Sequence, residues 1–314
     1  MYSEDIIISD SESSADFKAS NNEYDSTNSS LELYTNLYSS IKVKIYGDYN
    51  KKTCEEYINF ETYNSLLELA NEYEDGEDLS NLVGYTYPIY LNINNSYQLN
   101  TLRVSNVTKD STLESQTASG LVIEFADIIT YHAMNDTATS AGGWEESLMR
   151  SYINNDIYNA IPKDIKSLII DTMVVSGHDS EDSDNFTTID KLYLLSPREI
   201  NSDLQTWDLG KDSTRQMDYY ANNNVSTSNY DAAKKEYTGS ETFDFGITEE
   251  YYLNEYYINA MYTRTAYGSL DGYFFNIKPS GLCRSALKAN NLSGVSPAFR
   301  IGSYEMVNDQ TYNE

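Results

Sequence analysis

Soft-metal and thiol chemistry have almost nothing to work with in this chain. Its 314 residues include two cysteines, Cys54 and Cys283, and two histidines, His132 and His178. Neither cysteine has a second one near it in sequence, which excludes CxxC redox motifs and multi-cysteine zinc or iron–sulfur centres. What remains is one bridge between the two, or two unpaired thiols packed as small hydrophobes. Cations are scarce as well: 21 Lys and Arg stand against 49 Asp and Glu, for a net charge of −28. A polyanion of that size repels phosphate backbones and anionic lipid, so neither nucleic acid nor a polybasic membrane contact is expected. No apolar run approaches the ~20 residues of a membrane span, so direct insertion is not expected. The patch Ile6 to Ile8 is far shorter than the roughly 7–15-residue core of a signal peptide. The motifs H-E-x-x-H, G-x-G-x-x-G and the P-loop are absent. Gly268-Ser269-Leu270-Asp271-Gly272 only approaches G-x-S-x-G, with its serine in the wrong slot for a nucleophile elbow. Triad hydrolases, zincins and dinucleotide sites are thereby disfavoured, and catalysis is not expected.

What is present is apolar enough to fold: 40% hydrophobic and 13% aromatic residues, too much for a wholly disordered chain despite the charge. Residues 1–30 carry Ser9, Ser11, Ser13, Ser14, Ser20 and Asn21 among acids and no periodicity, which predicts a solvated tail. Residues 31–65 hold an N-terminal strand, in which Ile41, Val43 and Ile45 alternate with lysines, and the start of a helix. Tyr63, Leu66, Leu67, Ala70 and Tyr73 recur at helical spacing, and Gly76 is placed to end that helix. A hairpin follows through Ile89 and Leu91, a turn at Asn94-Asn95-Ser96, and Leu102 and Val104.

Gly142-Gly143 then precede a helix whose apolar face is read as Trp144, Leu148 and Tyr152. Pro162 opens a second helix through Ile165 and Leu168. Ser196-Pro197-Arg198-Glu199 has the hydroxyl, proline and glutamate of a capping box, a structural signal. Strands return at Ala260 to Thr265, Tyr273 to Ile277 and Val295 to Ile301. The expected class is α+β: a mixed, mostly antiparallel sheet with a central helix pair.

The segment Gly142-Gly143-Trp144-Glu145-Glu146-Ser147-Leu148-Met149-Arg150, with Tyr152-Ile153-Asn154 and Tyr158-Asn159-Ala160-Ile161-Pro162 after it, resembles the central signature of the bacterial and phage family known as domain of unknown function 6273. Thr187 to Ser196, Tyr262-Thr263-Arg264-Thr265-Ala266 and Gly294 to Ile301 resemble its later strands in the same order. The resemblance implies a domain over residues 66–303 and a C-terminal tail at 304–314. Two departures stand out. Arg264-Thr265-Ala266 replaces an Arg-Ser-Pro ending, and Ser296-Pro297 stands where the family has valine, which leaves contacts made by that strand open. The closing strands are also similar to the lectin-like fold of formylglycine-generating enzymes and phage tropism proteins. The family's usual place beside secretion signals or surface domains fits the spacer-like start, so display outside the cell is expected, with a virion as the alternative.

The chemistry-bearing candidates are few. Asp179, Glu181, Asp182 and Asp184 crowd one loop with hard oxygen ligands that suit weak calcium binding, although the spacing is not an EF-hand's and a solvated acidic loop is the better reading. No other cofactor is expected. The 30 tyrosines supply rigid faces that stack on sugars or anchor partners; an AT-rich genome would also inflate them. Tyr267 and Tyr273 flank glycines of one turn, and with Tyr262, Arg264 and Arg300 they form the candidate ligand-binding set, although a buried structural ion pair is the first reading of the two arginines. The resulting expectation is a non-catalytic, surface-exposed binding module for a glycan or surface protein. A carbohydrate-active hydrolase and a structural virion or envelope component are the alternatives.

Overall fold

The computed structural model describes residues 51–93, 96–203, 212–237, 239, 259–283 and 285–303, with backbone alone for 51–54 and for four strands before them. Those strands, β1 (Asp5–Ile6), β2 (Ser14–Lys18), β3 (Ser30–Asn36) and β4 (Ser40–Tyr46), pair antiparallel in chain order. The strand read from Ile41, Val43 and Ile45 is β4. The expected tail over 1–30 falls mostly outside the described residues, and within it β1 and β2 pair as strands. The expected tail over 304–314 lies wholly outside them.

Helix α1 (Lys51–Glu74) buries Ile58, Thr62, Leu66, Leu69 and Ala70 at intervals of three and four, the period that keeps one stripe facing the core. Gly76, at φ +81°, ends it as expected. The helix lies on β5 (Thr86–Ile93), which pairs antiparallel with β6 (Ser96–Asn106); the predicted turn at Asn94 and Asn95 lies outside the described residues. β5 is an edge strand, and α1 satisfies that edge with side chains. Asn59 accepts the Tyr90 N–H at 2.8 Å and donates to the Tyr90 carbonyl at 3.1 Å, as a neighbouring strand would, and Thr62 donates to the Pro88 carbonyl at 2.6 Å.

The remaining strands complete a mixed α/β arrangement of mostly antiparallel sheets that includes a curled half-barrel. They are β7 (Val122–Phe125), β8 (Thr130–His132), β9 (Ile169–Ile170), β10 (Thr172–Ser176), β11 (Phe186–Asp190), β12 (Tyr193–Leu194), β13 (Met261–Ala266), β14 (Tyr273–Ile277), β15 (Ser285–Lys288), β16 (Ser293–Val295) and β17 (Pro297–Ile301). One sheet runs β12-β17-β7-β6-β5, with β9 also on β17; another runs β15-β14-β13-β16-β8; β10 and β11 form a separate hairpin. The buried core includes Leu66, Ile89, Val104, Phe125 and Phe299.

Two expectations change here. Val295 to Ile301 is not one strand: it breaks at Ser296, so that β16 belongs to one sheet and β17 to the other. At the crossing Ser296 donates to the Phe125 carbonyl at 2.9 Å and accepts from the Lys235 ammonium at 2.8 Å, and Pro297 brings no N–H to satisfy. Trp144 is not on a helix face either. Helix α2 (Leu148–Tyr152) starts only after Ser147, whose hydroxyl caps it by accepting the Arg150 N–H at 3.1 Å, and Leu148 is 41% exposed. Gly142 and Gly143, both at positive φ, coil the preceding turn and send Trp144 inward. There its indole N–H meets Asp190 at 2.9 Å.

The helix continues through a π-turn (Ile153–Ile157) into α3 (Tyr158–Ala160). The wide turn frees Asn154 to bond Leu192 N–H and carbonyl, each at 2.9 Å. Where the second helix of a pair was expected, only the four-residue α4 (Lys163–Lys166) forms, with Pro162 at its N-cap. Helices α5 (Pro197–Ile200), which carries the expected capping box, and α6 (Asp218–Asn222) follow. No helix among the described residues is long and apolar enough to cross a membrane.

Cys283 is free and buried, its Sγ 3.1 Å from the Gly281 carbonyl, and burial pushes its thiol up to about 12; the side chain of Cys54 lies outside the described residues. A thiol so far from its reactive form should resist alkylation. Peptide mapping after iodoacetamide at pH 8 is expected to find Cys283 unmodified in folded protein and fully modified in guanidinium; rapid labelling of the folded form would contradict its placement.

Candidate functional site

Four loops that are far apart in sequence are tied together through Ser140. Its hydroxyl donates to Asp179 and accepts the Gly272 N–H at 2.5 Å. The Ser140 N–H reaches Glu181 at 3.2 Å, and the Gly142 N–H reaches Asp182 at 3.0 Å. Ser180 donates to Asp271, closing the link between the acidic loop after β10 and the turn after β13. Gly272, at φ +79°, approaches the Ala138 backbone so closely that a Cβ would collide with that carbonyl oxygen. Its own carbonyl accepts the Ala289 N–H at 2.9 Å, which brings in the 288–292 loop.

The structure therefore brings the acidic loop and the tyrosine turn to one place. Asp179, Glu181 and Asp182 face the amides and hydroxyls of the 139–142 loop, while Asp184 accepts from its neighbour Ser183 at 2.7 Å. Among the described residues no group of three or more acidic, His or Cys side chains is arranged to hold a metal. Tyr262 is buried, its hydroxyl 2.5 Å from the Lys288 carbonyl and 3.0 Å from that of Asn291, so it fixes the loop from beneath. The Tyr267 N–H donates to the Tyr273 carbonyl at 2.8 Å, closing the turn. Both rings are half-buried, and that of Tyr267 leans on Phe275 with centroids 4.6 Å apart, so neither projects freely. Leu270, 48% exposed, is the apolar group that does face out there.

The two arginines of the candidate set lie elsewhere. Arg264 is fully buried and forms a two-pronged pair with Glu199 at 2.7 and 2.8 Å. It also donates to the carbonyls of Leu194 (3.0 Å) and Val175 (3.3 Å) and to the Thr117 hydroxyl (3.2 Å). Glu199 is at once this partner and the N3 residue of the capping box, accepting Ser196 N–H at 2.9 Å and the hydroxyls of Thr214 and Thr117. Arg300 is half-buried on β17, bonded to Gln116 at 3.0 Å, and burial lowers its pKa.

A second buried cluster escaped the sequence reading. Arg103 and Glu124 stand directly opposite each other on β6 and β7 and bond at 2.6 and 3.0 Å. Glu124 also takes Lys235 at 2.8 Å and the Tyr220 hydroxyl at 2.8 Å, and the Arg103 guanidinium lies 3.8 Å above the Tyr219 ring. Burial alone would raise the Glu124 pKa, yet Arg103 and Lys235 hold it down to about 2. The signal available in the sequence was the scarcity of cations: an arginine inside an apolar strand needs an acceptor beside it, which is an acid for Arg103 and Arg264 and Gln116 for Arg300.

The family model described as Domain of unknown function (DUF6273) matches residues 120–303, more than half of the 314 residues. The chain belongs to that family. The match takes in the segments around Gly142, Thr187, Tyr262 and Gly294, but it begins at Gly120 and not near Leu66, so α1 and the β5–β6 hairpin lie outside it. No curated protein and no solved structure matches the chain.

Arg264→Met should cost about 3–5 kcal/mol, because it leaves Glu199 buried and charged without its cation. Arg264→Met with Glu199→Gln should recover part of that loss in urea denaturation; an additive loss would mean that the pair is not coupled. For Glu124 the sign follows from its depressed pKa. The stability it contributes is full above the ordinary 4.5 and is lost as pH falls towards about 2. Glu124→Gln should be less stable at pH 7 and should lose stability less steeply than wild type over that acid range.

Proposed function

We propose that this protein is a non-catalytic binding module, displayed on a cell surface or virion, which takes a glycan or protein ligand on the joined loops around Tyr267 to Tyr273. The observation that carries this reading is the mutual fastening of the 138–142, 179–182, 267–272 and 288–292 loops through Ser140, Asp271 and Gly272. Loops held this way lose little freedom when a ligand binds, which is how a rigid scaffold turns modest contacts into affinity. An exposed Leu270 beside two tyrosine rings offers an apolar step with hydroxyls at its edge, a surface suited to a sugar face or a partner side chain. In this reading the fold is lectin-like, with residues 148–160 and α4 as a central helix pair beneath the loops. The acidic loop acts as the brace of the platform and not as a calcium site.

A glycan array and a pull-down with the purified chain test the reading. Binding is expected, and Leu270→Asp with Tyr273→Ala should weaken it at least about tenfold, on the order of one well-packed anchor. Retention of full affinity by the double variant, with an unchanged melting curve, would put the contact elsewhere; absence of any glycan or protein ligand would remove the reading.

A further inference from the structure

A groove of about 240 Å³ opens between α1, the β5–β6 hairpin and the segment 159–162. Its walls are joined by the Asn59–Tyr90 clamp, so it is a fixed feature of the α1–β5 contact. Glu55 and Glu56 line it from the helix, Tyr90, Asn92 and Tyr97 from the hairpin and Asn159 from the end of α3; none of its lining residues is basic. Glu55 is 6% exposed, and among the described residues its carboxylate meets no hydrogen-bond or ion-pair partner. The buried carboxylates of Glu124, Glu199, Asp179, Asp190 and Asp212 each have a cation, a hydroxyl or an N–H on them. Glu55 lines a groove and, among the described residues, meets no donor.

We infer that this groove binds one cationic side chain, the ammonium or guanidinium of a lysine or arginine presented by a basic segment of a partner protein. A sugar hydroxyl would fill the acceptor but leave the carboxylate charge uncompensated in a recessed site, whereas a cation answers both needs. Tyr97 is 46% exposed and, with Tyr90, offers ring faces that attract cations. The exposed amides of Asn92 and Asn159 supply carbonyl oxygens at the rim. The volume suits a single long side chain better than an oligosaccharide, and the charge of −28 draws cations from a distance. The site makes no use of the loop platform, and the two assignments fail separately.

The probes are N-acetyl-lysine methylamide and N-acetyl-arginine methylamide, with N-acetyl-norleucine methylamide and methyl glucoside as neutral comparators. They are titrated into the labelled full chain and followed by amide chemical shifts, in enough salt to screen diffuse attraction to the polyanion. The cationic probes should shift Glu55, Asn92, Tyr97 and Asn159 and the neutral ones should not. Glu55→Gln should weaken the cations at least about tenfold while melting no lower than wild type, since it removes an acid that no fixed partner among the described residues holds. Tyr97→Ala, at an exposed position, should weaken them several-fold and serves if Glu55→Gln melts lower. Equal affinity of the cationic probes for wild type and these variants, shifts outside the groove, or equal binding of a neutral probe in it would each overturn the assignment.

Discussion

The arrangement of the sheets depends on one guanidinium. Arg264 rises from β13 in one sheet, bonds the carbonyl of Leu194 on β12 in the other, bonds that of Val175 on the β10–β11 hairpin, and pairs with Glu199 in α5. Burying a charge completely is costly, and a pair of this kind returns little over well-packed apolar residues of the same volume. What it supplies is register. Donor directions fixed in one plane reach acceptors on a second sheet, a hairpin and a helix, and a strand slipped by one residue would turn the guanidinium to the other face. Asp212 completes the shell. Burial raises its pKa, and Ser196, Thr265 and the Gly177 N–H, at 2.5, 2.8 and 2.6 Å, hold it in place.

Much of the local order was legible from residues alone, because local order is set by neighbours within a turn or a pleat. The helix stripe through Leu66 and Ala70, its stop at Gly76, the hairpin through Ile89 and Leu102 and the capping box at Ser196 all follow from spacing. The strand β15 gives no such signal: it is short and half-exposed, with Leu287 its one buried residue, and so lacks a clear period. Misreadings arose where distant residues decide. The break at Ser296 is invisible in an apolar run, since its reason is a carbonyl at Phe125 and an ammonium at Lys235. Trp144 fits a helical spacing with Leu148, but Ser147 is the better cap, and the glycines before it fold the chain back.

The candidate site was legible to a similar degree and for the same reason. Tyrosines flanking glycines mark a turn, and acids crowded between β10 and β11 mark a loop, yet nothing in either segment says that they meet. Their junction is Ser140, a hydroxyl in a third loop that no motif singles out. The arginines illustrate the converse. Arg264 and Arg300 sit in matching apolar strands, but the first is wholly enclosed with Glu199 and the second is half-buried on Gln116, a difference made by what the opposite sheet presents.

The charge balance links interior and surface. Arg103, Lys235 and Arg264 are drawn inside to neutralise Glu124 and Glu199, in a chain with only 21 cations to distribute. The interior carboxylates thus receive fixed partners built into the fold, whereas one at the surface groove, Glu55, has none among the described residues. A carboxylate matched inside the fold holds strands in register; one left unmatched at a groove retains its electrostatic attraction for something outside. Both states follow from the same shortage of cations, and the position of the acid relative to the sheets decides which role it takes.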